Sequence, residues 1–238
     1  MQIDILIAIS NSLNNISSTM ELKQHTVKSY DKDIQSISGT LNHLLDLLSY
    51  SIEMVEDVIK NPQKQLVQQI LDHDYKINHL DHLTEKKVTL MLALRQPMAF
   101  DLRYIISALK VSSNLERMGD KCKSIIKKIA HLETKMDDKT KNSLLKMLEI
   151  AKKMTRDAVL AFNDHNLEKA EEVLKQDDEI DQIYENLFSI VEGESFDQKQ
   201  VKNIINILFI AKSFERLADH AANIAEMVRY VVSGEIIE

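Results

Sequence analysis

The chain has 238 residues, enough for one large domain or two small ones. Its 44% hydrophobic content, with only 4 Gly, 2 Pro and no Trp, favours long helices with few turns. The net charge of −7 argues against a nucleic-acid partner, and a single cysteine, which excludes an internal disulfide, is typical of a reducing compartment. Because no apolar run approaches the roughly 20 residues of a membrane span and no signal peptide is recognisable, the sequence predicts a cytoplasmic protein.

The two prolines divide the first half of the chain into three predicted helices. Proline is tolerated in the first turn of a helix and disfavoured in its interior. Pro62 and Pro97 therefore each mark a helix start after a tight turn. This predicts helices at about 25–60, 63–95 and 98–131. Residues 1–21 are expected to be an extension outside these helices.

A polar segment, residues 132–139, is predicted to link these helices to a second set. The predicted helices of the second half are at about 140–163, 167–192 and 196–233, divided by Asp164-His165-Asn166 and by Gly193 and followed by Gly234. Short connections imply antiparallel neighbours. The sequence therefore predicts an all-α fold of two tandem three-helix bundles, at residues 22–133 and 138–234.

The third predicted helices of the two halves carry the same motif. ERMGDKCKSI at 116–125 and ERLADHAANI at 215–224 share the frame E-R-x-x-D-x-x-x-x-I, 99 residues apart. Internal duplication of a three-helix unit is the simplest explanation. The two arginines of the motif are interpreted as surface residues or ion-pair partners.

Each copy of the motif places two carboxylates one helical turn apart, at the edge of an apolar face. The pairs are Glu116 with Asp120 and Glu215 with Asp219. Small residues lie on the same side of each helix, so another helix or an ion can approach closely. Carboxylate pairs of this kind chelate hard cations or iron.

The preceding helices supply further oxygen atoms at equivalent positions. At a spacing of 103, Asp74 aligns with Asp177 and Asn78 aligns with Asp181. If these helices pack on the third helices, their oxygen atoms face the carboxylate pairs. A lone E-R-x-x-D is more often a solvated helix face, so a metal-free structural role stays open. Since the sequence has no G-x-S-x-G, H-E-x-x-H or glycine-rich phosphate loop, no enzyme is predicted.

Several stretches resemble the PhoU family of bacterial phosphate-signalling proteins. RQPMAFDLRYIISALKVSSNLERMGDKCKSI at 95–125 is similar to the family hallmark, and FERLADHAANIAE at 214–226 resembles its second repeat. HTVKSYDKDIQSI at 25–37 resembles the usual start of the family's first helix. The resemblance covers about residues 22–234. It implies two tandem three-helix bundles with metal clusters, often of iron and sometimes of zinc or other cations.

The resemblance also implies which residues bind the metal. The implied ligands lie on the second and third helices of each half: Asp74, Asn78, Glu116, Asp120, Asp177, Asp181, Glu215, Asp219 and Asn223. Asn223 lies four residues after the motif aspartate, as is common in the family, but the first copy has Ser124 there. Asn78 likewise replaces the acid found at Asp181. The first site is therefore expected to be the weaker one.

The function implied by the resemblance is repression of the phosphate regulon when phosphate is plentiful. Such a protein links the ATPase subunit of the phosphate ABC transporter to a sensor histidine kinase, and associates with the membrane peripherally through these partners. Two alternatives remain from the residues themselves. One is a metal-free helical scaffold or oligomerisation module, and the other is a metal-dependent hydrolase or oxidase, which lacks an evident base or nucleophile. Monomer and homodimer both stay open.

Overall fold

The computed structural model describes residues 28–61, 66–134, 136–189 and 197–234, and all regular structure in these ranges is helical. The helices are α1 (Lys28–Lys60), α2 (Leu66–Arg95), α3 (Ala99–Ala130), α4 (Asp138–Asp164), α5 (Leu167–Lys175), α6 (Asp177–Ser189) and α7 (Gln198–Ser233). Helices α1–α3 pack on one another as one bundle, and α4–α7 form a second. The prediction of an all-α fold with two tandem bundles is confirmed. The predicted extension at 1–21, Pro62 and Gly193 lie outside the described residues.

The described helix ends are set by local side-chain chemistry. The side chain of Asp137 accepts a hydrogen bond from the Thr140 amide (2.9 Å) at the start of α4, and the side chain of Asn166 caps α5. Asp197 forms a reciprocal capping box at the start of α7. Gly234 ends α7 in the left-handed conformation, with φ 78°, as the sequence predicted. Among the helices of the described ranges, none is long and apolar enough to cross a membrane.

The prediction of one continuous helix at 167–192 is wrong, because the helix is interrupted at Gln176. The Gln176 amide donates to the Val173 carbonyl (3.1 Å), which closes a tighter turn than the α-helix. Three consecutive acids, Asp177, Asp178 and Glu179, follow in the first turn of α6. Negative side chains are favoured at a helix N-terminus, where the backbone amides lack partners. The break therefore places Asp177 at the beginning of a new helix.

The two bundles share one hydrophobic core rather than folding around separate ones. Their buried side chains form a continuous cluster, and α3 and α1 of the first bundle pack on α7 and α4 of the second. The Tyr104 ring of α3 stacks on the fully buried Phe162 ring of α4 with 5.1 Å between ring centroids. The sequence predicted the two bundles but not this packing between them.

Helices α3 and α7 run antiparallel, so the repeats are related by an approximate twofold axis. Arg103, near the start of α3, donates to the Val231 carbonyl near the end of α7 (3.1 Å). Its equivalent in the second repeat, Lys202, reaches the carboxylate of Glu133 just beyond the end of α3 (2.5 Å). Paired contacts of this kind place the axis between the middles of α3 and α7. The two E-R-x-x-D motifs lie at that level.

Candidate functional site

In the first repeat a lysine ammonium lies between the predicted metal ligands. The packing of α2 on α3 is close, because a Cβ at Gly119 would lie 3.0 Å from Ile77 Cδ1. Lys123 Nζ is 2.7 Å from Asp74 Oδ2 and 2.5 Å from Asp120 Oδ1. The single charge of Lys123 is therefore shared by two of the carboxylates that the sequence assigned to metal binding.

The remaining carboxylate of the first motif, Glu116, lies in a negative environment. Burial raises the pKa of Glu116, and the nearby carboxylates of Asp120, Asp81 and Asp74 raise it further. Asp81 is itself held by Ser112, whose hydroxyl donates to Asp81 Oδ1 (2.6 Å). Ser112 thus gives a hydrogen bond to one of the acids that raise the pKa of Glu116.

In the second repeat four carboxylates crowd together. The pKa of Asp177 is raised to about 6, chiefly by burial and then by Asp219, Asp181 and other nearby acids. The pKa values of Asp181 and Asp219 are also raised, first by burial and then by Glu215. Lys212 pairs with Glu215, on the same helix. A cation that entered this group would relieve the mutual repulsion that raises these pKa values.

The same position in both repeats leaves a buried oxygen atom without a partner. Asp74 Oδ1 and Asp177 Oδ1 are buried and accept no hydrogen bond from any described residue, and the same is true of Asn78 Oδ1. Asp74 and Asp177 are the residues that align at a spacing of 103. Because a buried polar atom without a partner is costly, such an atom fits a ligand to an ion. Across the described ranges, however, no three His, Cys, Asp or Glu side chains are already arranged to hold a metal ion.

The structure thus brings the predicted ligands together in two groups. Asp74, Glu116 and Asp120 interact in the first repeat, and Asp177, Asp181, Glu215 and Asp219 interact in the second. Asn223 is exposed on α7 and lines a cleft beside Asp219. Proximity alone does not show that these residues bind a metal ion, so the ligand assignments stay predictions.

Sequence reasoning missed the lysines. Lys123 lies three residues after Asp120, and Lys212 lies three residues before Glu215. This spacing puts each lysine one helical turn from a motif carboxylate, so a helical projection would have found both. The lysines are not equivalent, because Ala222 and Ser113 stand at the corresponding positions of the other repeats. The two groups of carboxylates are therefore compensated in different ways.

A cleft of about 480 Å³ lies between α3 and α7 at the level of the two motifs. Its lining residues come from both repeats: Arg117, Asp120, Lys121, Lys212, Arg216, Asp219, His220 and Asn223. His220 Nδ1 is 2.9 Å from the amide oxygen of Asn114 across the interface. The pKa of His220 is lowered to about 4, chiefly by burial and then by the nearby cations Lys121, Arg117 and Arg216. The imidazole is therefore neutral near pH 7.

Comparison with known proteins identifies one family. The sequence matches the PhoU domain family twice, over residues 41–129 and 144–228. It is 33% identical over 212 residues to the phosphate-specific transport system accessory protein PhoU homolog of Zymomonas mobilis, covering 89% of this chain and 90% of that protein. The corresponding homolog of Streptococcus pneumoniae is 32% identical over 210 residues, covering 88% of this chain and 97% of the relative.

Two solved structures are similar in fold. The crystal structure of the phosphate transport system regulatory protein PhoU from Streptococcus pneumoniae has a TM-score of 0.80 at 29% identity. It covers 88% of this chain and 99% of that one. The crystal structure of PhoU from Pseudomonas aeruginosa has a TM-score of 0.79 at 26% identity, covering 87% of this chain and 100% of that one.

Proposed function

The chain belongs to the PhoU family, and on that premise we propose that it is a regulator of phosphate transport. The observation that carries this proposal is that the family match extends over both repeats, so that the whole two-bundle unit is shared with proteins named for phosphate transport. The finer proposal is a metal-binding adaptor between the ATPase subunit of the phosphate ABC transporter and a sensor histidine kinase. It represses the phosphate regulon when phosphate is plentiful, acts in the cytoplasm, and performs no catalysis.

The second repeat is the better candidate for a metal site. Asp177, Asp181, Glu215 and Asp219 offer anionic oxygen ligands, and burial and mutual repulsion raise the pKa values of all three aspartates. Iron or another cation that prefers oxygen ligands would replace this repulsion with attraction. The unpartnered Oδ1 of Asp177 supports this proposal independently of charge, since a metal ion would satisfy it.

The first repeat is proposed to be the weaker site. Lys123 already pairs with both Asp74 and Asp120, at 2.7 and 2.5 Å, so a cation would have to displace the ammonium before it reached both carboxylates. Asn78 further lowers the number of anionic ligands. An entering cation would gain correspondingly less there.

Elemental analysis of the purified protein tests the metal proposal. We expect bound metal in the wild type and loss of most of it in the double variant Asp177→Asn with Asp219→Asn. The matched control is Glu168→Gln with Glu172→Gln, which removes two exposed charges from α5. Metal content that is the same in the carboxylate variant and the control would contradict the proposal. The variant Asp74→Asn with Asp120→Asn is expected to lose less metal.

Deletion of the coding sequence tests the regulatory proposal. In cells grown with plentiful phosphate, we expect alkaline phosphatase and transporter expression to rise and to fall again on complementation. Affinity capture of a tagged wild type from the same cells is expected to recover the transporter ATPase and the kinase. Expression that stays low after deletion would overturn the regulatory role, whatever the metal content.

A metal-free helical scaffold is the second candidate, and the Lys123 bridge favours it. This interaction stabilises the first group of carboxylates without any metal ion. The scaffold hypothesis predicts that Asp177→Asn with Asp219→Asn represses the regulon and captures partners as the wild type does. Loss of repression in this variant, with its fold intact by circular dichroism, would favour the metal-binding adaptor.

A further inference from the structure

The cleft between α3 and α7 lies on the approximate twofold axis, so the duplication has built it from equivalent residues. Three pairs of lining residues are 99 residues apart in the sequence: Arg117 with Arg216, Asp120 with Asp219, and Lys121 with His220. Neither repeat alone has this surface, because each contributes one member of every pair. The site exists only in the packed two-bundle structure.

The charges in the cleft do not cancel. Among the described residues, no acidic side chain lies within ion-pair distance of Arg117, Lys121 or Arg216. Lys212 is paired with Glu215, and Asp120 shares the single charge of Lys123 with Asp74. Among the lining side chains, two acids, Asp120 and Asp219, therefore stand against the four cations Arg117, Lys121, Lys212 and Arg216. The cleft is locally positive in a chain whose net charge is −7.

We propose that this cleft binds the phosphate group of a small anion, with Arg117 and Arg216 as ligands contributed by the two repeats. The planar guanidinium fork presents two parallel N–H donors that match two oxygens of one phosphate group. Lys121 adds a third cation from α3. The volume of about 480 Å³ accommodates a hydrated inorganic phosphate or the phosphate end of a phosphorylated metabolite.

The anion would also act on the packing of the two bundles. Because its ligands lie on α3 and α7, a bound phosphate group would reduce the repulsion between Arg117 and Arg216 across the axis. The protein would then sense phosphate directly, through the contact between its two repeats. The role of the cleft in sensing phosphate rests on the proposed regulatory function, whereas the proposal that it binds a phosphate group rests on the residues of the cleft.

Calorimetric titration of the metal-free full chain tests the proposal, with inorganic phosphate, pyrophosphate and ATP as separate ligands. We expect one saturable site per chain and at least about a tenfold loss of affinity for each arginine replaced in Arg117→Gln and Arg216→Gln. The control is Lys153→Gln with Lys175→Gln, two exposed lysines outside the cleft, which is expected to bind as the wild type does.

Each outcome decides between support and rejection. Binding of inorganic phosphate that is lost in the arginine variants supports the proposal, and preference for pyrophosphate or ATP supports it with a larger phosphate ester as the source. Three results overturn it: no binding of any of the three ligands, an equal loss in the lysine control, or binding that requires added metal and survives both arginine substitutions. All three leave the deletion phenotype unaffected, so the regulatory role is tested separately.

Discussion

Replacing Lys123 with alanine removes the cation that compensates the first group of carboxylates. The Asp74 side chain is 11% exposed, and its Oδ2 lies 2.7 Å from Lys123 Nζ. Asp74 Oδ1 already has no partner among the described residues, so the substitution leaves a nearly buried carboxylate with no hydrogen bond to the protein. Loss of a hydrogen bond between charged groups costs about 1.5–3 kcal/mol.

Solvent access reduces that cost. The Lys123 side chain is 23% exposed, so water can enter the space it leaves. We therefore expect Lys123→Ala to lower the free energy of unfolding by about 1–2 kcal/mol in the presence of a chelator. For a chain of this size, that is a decrease in Tm of about 3–6 °C.

The effect of added metal on the Tm distinguishes the loss of the Lys123 charge from a simple loss of side-chain packing. Lys123→Ala gives the first repeat the small residue that the second repeat has at Ala222, so the Asp74 and Asp120 carboxylates become available to a cation. At a metal concentration 100 times the dissociation constant, binding adds about 2.7 kcal/mol to the stability of the folded state. We expect iron or manganese to raise the Tm of Lys123→Ala more than that of the wild type.

Thermal unfolding with and without chelator is the assay, and Lys127→Ala, an exposed lysine in the last turn of α3, is the matched control. If Lys123→Ala unfolds at the wild-type temperature in chelator, Asp74 does not depend on the ammonium and the reasoning is wrong. If metal raises the Tm of the variant and the wild type equally, Lys123 does not compete with a cation.

Three further predictions follow from burial and charge. The folded-state pKa of Asp177 is raised to about 6, so its contribution to the stability of the metal-free protein is lost as the pH rises from about 4 to 6. In Asp177→Asn, the denaturation midpoint should therefore depend less on pH across that range than it does in the wild type. Gly119→Ala should be nearly neutral, since helix propensity offsets a small shift of the Ile77 side chain, whereas Gly119→Val should cost about 1–3 kcal/mol by calorimetry. Phe162→Ala should cost about 3–5 kcal/mol and lower one cooperative transition rather than separate two, because Phe162 packs between the bundles.

Local signals made the helices predictable. Proline and polar turn residues divide the sequence where helices end, and Asp137, Asn166 and Gly234 supply the caps that the structure uses at the connections. The break at Gln176 was not predicted, because neither proline nor glycine is present there. Its signal is electrostatic: three acids in succession favour a new helix N-terminus over the middle of an existing helix.

The packing between the bundles could not be read from periodicity. A helix buried on two sides shows a wide apolar arc, but the arc does not say which neighbour covers each part of it. In α3, one side of the arc packs on α2 and another on α7. The role of the motif arginines depends on this arrangement. The sequence indicates surface or ion-pair residues, and both arginines are exposed, but it is the α3–α7 contact that places both in one cleft.

The two repeats share the motif arginines but differ in the lysines that pair with the carboxylates. The lysines that compensate the carboxylates, Lys123 and Lys212, occupy non-equivalent positions, and each acts within its own repeat. A group that acts within one repeat needs no counterpart in the other. A residue beside the twofold axis can act together with its equivalent, because both lie in the same cleft, and Arg117 with Arg216 is such a pair. We therefore expect substitutions at Lys123 to affect one carboxylate group alone, and substitutions at either arginine to affect a site that both repeats form.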